Sequence, residues 1–182
     1  MKILFLARYL PQTGSTTHMY TLAKELMDRG NEVHIISAGP KQDDGAINIF
    51  QEIVNYGVKH HKVKFPLNPN FSMLGKVFQL FKYIIVTPKV MYLMFKLKPD
   101  IIHVHYPVVS YLAKIYTKIT KKKFITTYHI SGIPKHILHK KADYVIAISR
   151  ELQEELLQKL GYNNEQVKLI FNGVSKKSLI KR

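Results

Sequence analysis

The chain has 182 residues, 46% of them hydrophobic and 22% charged, enough apolar material for one domain with a sizeable core. It carries no cysteine, which excludes a disulfide framework, a thiolate metal site and a thiol nucleophile. Lys and Arg outnumber Asp and Glu by 28 to 12, and the net charge of +16 favours a polyanionic partner: nucleic acid, an anionic membrane or a phosphorylated substrate. The lysines are spread along the whole chain, so a generally basic solvated surface competes with those readings. No compact nucleic-acid-binding tract is expected.

The apolar run Ile3 to Ala7, ended by Arg8, is too short for the core of a signal peptide and reads as a strand buried on both faces. No uncharged apolar run of about 18 residues predicts a membrane-spanning helix. Pro11, Gly14, Ser15 and Thr16 read as a loop with helix-capping residues. Met19, Leu22, Ala23, Leu26 and Met27 then recur at helical spacing up to Gly30, and Val33 to Ser37 follows as a second buried strand. Strand, helix and strand within 37 residues make a parallel βαβ unit.

Ile47 to Val54 fits either strand or helix. Gly57 to Phe65 alternates as an edge strand does, and Pro66 and Pro69 end it. Phe71 to Leu97 is long, apolar and interrupted by Pro88, and reads as a pair of mostly buried helices. Lys76, Lys82, Lys89 and Lys96 fall six or seven residues apart there and read as one narrow polar stripe. They are either snorkelling heads of core helices or cations facing membrane headgroups.

Further on, Ile101 to His105, Phe124 to Tyr128, Tyr144 to Ile148 and Val167 to Phe171 read as strands. Val108 to Thr120 reads as a helix, and a short helix is expected near Lys135 to Lys140. Ser149 caps another helix, whose Leu152, Leu156, Leu157 and Leu160 share a face up to Gly161. The alternation predicts an α/β fold: a doubly wound, mostly parallel Rossmann-like sheet with helices on both faces.

Ligands of such sheets bind at the carboxyl ends of the strands. Those ends carry Arg8 and Tyr9, His105 and Tyr106, Tyr128 and His129, Ser149, and Asn172 with Gly173. His, Tyr, Ser, Asn and Gly therefore gather on one rim with few carboxylates, which disfavours a glycoside hydrolase. With Gly14 alone, the first loop is neither a dinucleotide fingerprint nor a P-loop. His103 and His105 point to one face of their strand but lack a spaced third ligand, so no metal is expected. His103 reads as a buried, hydrogen-bonded residue, His60 and His61 as surface, and His136 and His139 as structural or solvated.

Six segments, in this order, resemble the N-terminal half of a GT-B-fold glycosyltransferase of the retaining family 4. They are Met1 to Leu6 with Pro11 to Ser15; Leu22 to Leu26 through Arg29 to Val33; Pro99 to His105; Thr126 to His129; Ala142 to Ser149; and Ile170 to Val174. The resemblance implies a sugar transferase of hexosyltransferase type. It would move a sugar from a nucleoside-diphosphate sugar to a hydroxyl acceptor, in cell-envelope glycan, polysaccharide or glycolipid synthesis.

By the same resemblance His129 is the active-site residue that contacts the transferred sugar. Gly14, Ser15, Asn172 and Gly173 approach the donor, and Tyr9, His105, Tyr106, Tyr128 and Ser149 line the acceptor side. Lys76, Lys82, Lys89 and Lys96 meet an anionic membrane surface. The family has Gly-Gly where this chain has Gly14-Ser15, and Asp where it has Ser175. No cofactor is expected beyond the nucleotide-sugar substrate, and no nucleic-acid partner. The acceptor is expected to be a glycan or lipid-linked molecule, and the location cytoplasmic, peripheral on the inner face of the cell membrane.

Residues 1–174 are expected to form the acceptor domain, and 175–182 to begin a hinge toward a donor-binding domain. These 182 residues alone are expected to be inactive. The alternative is a free-standing acceptor-binding or membrane-docking subunit.

Overall fold

A computed structural model describes residues 1–40, 44–66, 73–133 and 136–173. Val174 and the expected hinge segment 175–182 lie outside the described residues. Among the described residues the strands are β1 (Lys2–Leu6), β2 (Glu32–Ser37), β3 (Lys59–Lys62), β4 (Ile101–Val104), β5 (Phe124–Tyr128), β6 (Tyr144–Ala147) and β7 (Val167–Leu169). They form one parallel sheet in the order β3-β2-β1-β4-β5-β6-β7. The chain builds outward from β1 to β3, then returns to β4 on the other side of β1. The crevice between β1 and β4 is therefore the point at which the winding direction reverses, where such sheets bind ligands.

The helices are α1 (Gly14–Asp28), α2 (Asp44–Asn55), α3 (Met73–Leu97), α4 (Ser110–Thr120) and α5 (Arg150–Gln158). Side chains alternate across each strand, so β1 feeds two cores. Ile3 and Phe5 pack with Met19, Tyr20 and Ala23 of α1 on one face. Leu4 and Leu6 pack with Tyr83, Val90 and Met94 of α3 and Leu112 of α4 on the other. The ambiguous stretch around Ile47 to Val54 is helix α2, because its Ile53 plugs the α1-side core. β3 is the edge strand that its alternation suggests, ion-paired through Lys59 to Glu32 at 2.6 Å.

Four expectations change. The first loop is shorter than its composition suggests: α1 begins at Gly14 itself, with Thr13 at the N-cap position but making no side-chain capping bond. Met73–Leu97 is one helix rather than two, with Pro88 inside it. Proline removes the amide bond to the residue four earlier. That residue is Ile84, which is solvent-facing at 60% exposure, so water can take the freed carbonyl. Nor is the helix mostly buried. It touches the core along one narrow face, and Phe81, Ile85 and Tyr92 lie more than half exposed. By length and composition alone its Val77–Leu97 stretch is apolar enough to cross a membrane, although here Tyr83, Val90 and Met94 pack against the sheet. No helix forms near residue 140: residues 136–140 carry a turn, and 134–135 lie outside the described residues.

Candidate active site

The carboxyl ends of β1, β4 and β5, with the N-terminus of α1, enclose a cleft of about 640 Å³. Its lining includes Tyr9, Gly14, Ser15, His105, Tyr106, His129 and Asn172, so seven of the candidate residues meet in one place. Strand alternation is the reason. Phe5, His103, His105 and Thr127 all project to the α1 side of the sheet, and His129 follows β5 over the same edge.

His105 and His129 of the lining belong to a column of imidazoles that continues behind the cleft. The His103 and His105 rings stack at 4.2 Å, and the His105 and His129 rings stack at 5.8 Å. His18 of α1 meets the His129 ring edge-on at 5.4 Å. His103 Nε2 shares a 2.7 Å hydrogen bond with Thr127 Oγ1, which agrees with its expected buried, bonded state. His105 Nδ1 lies 3.5 Å from His129 Nε2. Burial is the leading cause that holds all four rings neutral. It lowers His103 to about 3 and His129 to about 4, and it lowers His105 and His18 as well, the neighbouring imidazoles adding to the effect at His103, His105 and His129. The column therefore presents N–H donors and lone pairs rather than charge.

Opposite stands the first turn of α1, where the Thr16 amide bonds the Thr13 carbonyl and the Gly14 and Ser15 N–H groups have no intrahelical acceptor. Gly14 is exposed, and a Cβ placed on it would meet nothing within 4 Å. A ligand can therefore approach this backbone. Ser15 Oγ lies 2.9 Å from Thr13 Oγ1 and also bonds Tyr106, whose hydroxyl burial pushes up to about 12. Tyr9 and Tyr106 lie ring to ring at 5.4 Å on the remaining side. Among the described residues the lining contains no carboxylate and no ammonium group. Among the described residues no three His, Cys, Asp or Glu converge as metal ligands.

Three candidates lie elsewhere. Tyr128 points to the opposite face of β5, into the core cluster with Leu152 and Tyr162, and bonds the Tyr162 hydroxyl. One residue along a strand reverses the face, so His129 and Tyr128 cannot share the cleft through β5. The Ser149 hydroxyl accepts the Leu152 amide as the N-cap of α5. Gly173 is exposed and not part of the lining.

The lysine stripe also changes shape. Lys82, Lys89 and Lys96 are one heptad apart and share a face, whereas six residues of helix carry Lys76 about 120° round the axis from Lys82. The side chain of Lys76 lies outside the described residues. His60 and His61 are not simple surface residues. They are half-buried, bonded to Ser37 at 2.9 Å and to His34 at 2.8 Å. Thr127 of the lining, and His18 packed against His129, are residues that the sequence pattern did not single out. His18 lies four residues after Gly14, one helical turn along the same face, which is the signal that points to it.

Residues 12–177 match the family model described as Glycosyltransferase Family 4. This chain belongs to that family. Solved structures agree on the fold. Anabaena Alr3699/HepE, in complex with UDP, is 20% identical with a TM-score of 0.67 over 96% of this chain and 45% of its own. A glycosyltransferase from Rickettsia africae is 22% identical with a TM-score of 0.64 over 96% and 44%. The lipopolysaccharide outer core galactosyltransferase WaaB is 18% identical with a TM-score of 0.65 over 96% and 46%. The chain thus spans slightly less than half the length of these relatives, which are GT-B glycosyltransferases. Comparison with curated proteins gives no match.

Proposed function

We propose that this chain forms the acceptor-side half of a glycosyltransferase that moves a sugar from a nucleoside diphosphate to a hydroxyl group. The observation that carries this reading is the cleft itself: a neutral His129 facing the open N-terminal turn of α1 across a space without carboxylates. In the reaction the bond between the sugar and the diphosphate oxygen breaks, and a bond to the acceptor oxygen forms. The acceptor proton leaves toward the departing diphosphate. The chain supplies N–H dipoles at Gly14 and Ser15 for negative charge on that diphosphate. His129 hydrogen-bonds the sugar near its reacting carbon, and Tyr9 and Tyr106 form the aromatic wall on which an acceptor rests.

The structure of HepE in complex with UDP and glucose supports a nucleotide-sugar donor for this chain. A lipid-linked or glycan acceptor, a role in envelope polysaccharide or glycolipid synthesis, and a cytoplasmic site peripheral to the membrane complete the proposal. The exposed apolar face of α3, flanked by Lys82, Lys89 and Lys96, supports the membrane contact. The polypeptide of the full reading frame, assayed for nucleoside diphosphate release against a panel of nucleotide sugars, tests the transferase reading. Release that depends on an added acceptor is expected, and no turnover with any donor would overturn it. A free-standing acceptor-binding subunit is the second reading, favoured if turnover needs a separate donor-binding chain.

A further inference from the structure

The loop that leaves β5 carries one wall of the cleft: His129, Ile130 and Ile133 belong to its lining. The sheet does not hold this loop. The β5–β6 ladder ends at the pair of Tyr128 and Ala147, so His129 is the first residue beyond it. From His129 to Ile133 the Gly132 amide is the one backbone group with a hydrogen-bond partner among the described residues. That partner is the Glu155 carboxylate, whose two oxygens lie 3.0 and 2.9 Å from the Gly132 nitrogen.

The contact is long-range and well supported. Glu155 stands half-buried on α5, 23 residues along the chain from Gly132. Gly132 has a φ of +72°, the left-handed region that favours glycine, so its amide faces α5 without a strained side chain. A charged acceptor makes this a strong bond for a backbone N–H. Helix α5 is itself fixed: Ser149 caps it, and Leu152 and Leu156 are buried in the cluster against which Ile133 packs. The loop is thus tied to a rigid element at Gly132 and at Ile133. The carboxylate is not part of the cleft lining, so it adds no negative charge where a diphosphate is expected. Burial and the neighbouring His18 set the proton affinity of His129; Glu155 therefore acts on that ring through the backbone rather than through charge.

We infer that Glu155 is a positioning residue of the transfer reaction: by holding the Gly132 amide it fixes the β5 loop, and with it the place of the His129 ring against the sugar. The inference rests on the transferase reading of the cleft and adds to it a residue outside the lining. A reacting group displaced by about 1 Å can lose on the order of a hundredfold in rate, so a loop with a single backbone tie is sensitive to that tie.

The transferase assay, run on the polypeptide of the full reading frame, tests this with a set of variants. Glu155→Ala removes the acceptor and should lower kcat about tenfold while the donor KM stays within about threefold. Glu155→Gln keeps a carbonyl oxygen for the Gly132 amide and should bring kcat back to within about twofold of the native protein. Glu154→Ala, exposed on the same helix, removes the same charge and should change neither constant. A full loss in Glu155→Gln, or an equal loss in Glu154→Ala, overturns the tie in favour of charge. Unchanged kcat in Glu155→Ala, whatever its melting temperature, reduces Glu155 to a structural role and overturns the proposal too.

NMR of the imidazole ring separates the tie from the transferase reading. The His129 ring signals, assigned by their absence in His129→Ala, should shift in Glu155→Ala and stay in place in Glu155→Gln. If the native protein turns over no donor, the transferase reading fails, and these shifts alone then decide whether Glu155 holds His129. A His129 signal that does not move in Glu155→Ala overturns the proposal whether or not the protein turns over.

Discussion

The cleft at the switch point and a groove of about 710 Å³ between β3 and α3 open at the same end of one sheet, and they are built from opposite materials. The cleft takes its groups from strand ends and a helix terminus, so backbone and core hold them: His103 and His105 are almost wholly buried, and the donors are neutral rings and amides. The groove takes its groups from long lysine side chains on an edge strand and an exposed helix face, so they are charged and solvent-exposed. Fixed dipoles act on a reacting atom without reorganising, which suits chemistry. Exposed ammonium groups attract an anion without placing it closely, which suits docking. Salt should therefore weaken whatever the groove holds far more than whatever the cleft holds, since exposed charges are screened and buried dipoles much less so.

Acid should break the first region, and this is the largest effect expected. An imidazole in the unfolded chain titrates near 6.5, whereas burial holds His103 at about 3 and His129 at about 4 in the fold. Below 6.5 the unfolded state takes up protons that the folded state refuses. The stabilisation is therefore complete above 6.5 and is lost as the pH falls toward the folded values. His103 alone accounts for on the order of 3 kcal/mol by pH about 4. Urea midpoints measured from pH 7 down to about 4.5 isolate the histidines, because the Glu32 carboxylate, held down to about 2 chiefly by Lys59, loses its contribution only below that window. Burial also holds down His60, His139, His34, His61 and His136, so the share of the cleft is the part of the slope that His103→Phe removes. An unchanged slope in that variant would show that the column is not buried as described.

Next in size is His129→Ala. If His129 bonds the reacting sugar as proposed, its loss should lower kcat/KM in the transferase assay by about a hundredfold. The melting temperature and vesicle binding should hardly move. A variant that retains activity would take His129 out of the reaction.

How far the sequence carries these arguments depends on the kind of information each feature needs. Strands β1, β2, β4 and β5 are legible because runs such as Ile3 to Ala7 and Ile101 to His105 can be accommodated only by burial on both faces. Alternation also places His103 with His105, and with it half of the column. What the strand pattern does not reveal is depth: His18 reaches His129 only because α1 packs over β1 and β4. Tyr128 illustrates the converse, since adjacency to His129 in the chain means opposite faces in the sheet. Pro88 misleads as a helix breaker because its cost depends on where the freed carbonyl points, which is a tertiary fact. The four-lysine groove is equally non-local, uniting residues 62 and 64 with 82 and 89 across a helix that the composition alone divides in two.

Gly14→Ala separates the donor contact from folding. The added methyl meets nothing in the protein, and alanine suits a helix better than glycine by about 1 kcal/mol at most. Stability should therefore hold or rise slightly. If a diphosphate approaches this turn closely, the same methyl should weaken nucleotide-sugar binding by about tenfold. Unchanged affinity by calorimetry would move the donor away from the α1 terminus.

The smallest effect concerns a residue that both readings claim. Ser149 ends β6 at the rim, which suggests an acceptor contact, yet its hydroxyl already accepts the Leu152 amide at 3.2 Å and Glu151 reinforces the same turn. A hydroxyl used as a cap has little freedom to serve a ligand as well. Ser149→Ala should cost about 1 kcal/mol through the lost cap, a fall in melting temperature of about 2–4 °C for a domain of this size. Ser149→Asp should restore it, because a carboxylate caps as well and favours the positive end of the helix. KM for the acceptor should be the same in all three proteins, because α5 packs in the cluster on the side of the sheet away from the imidazole column. A raised KM that persists in the Asp variant, with stability restored, would return Ser149 to the acceptor site and extend the cleft across the ends of β5 and β6.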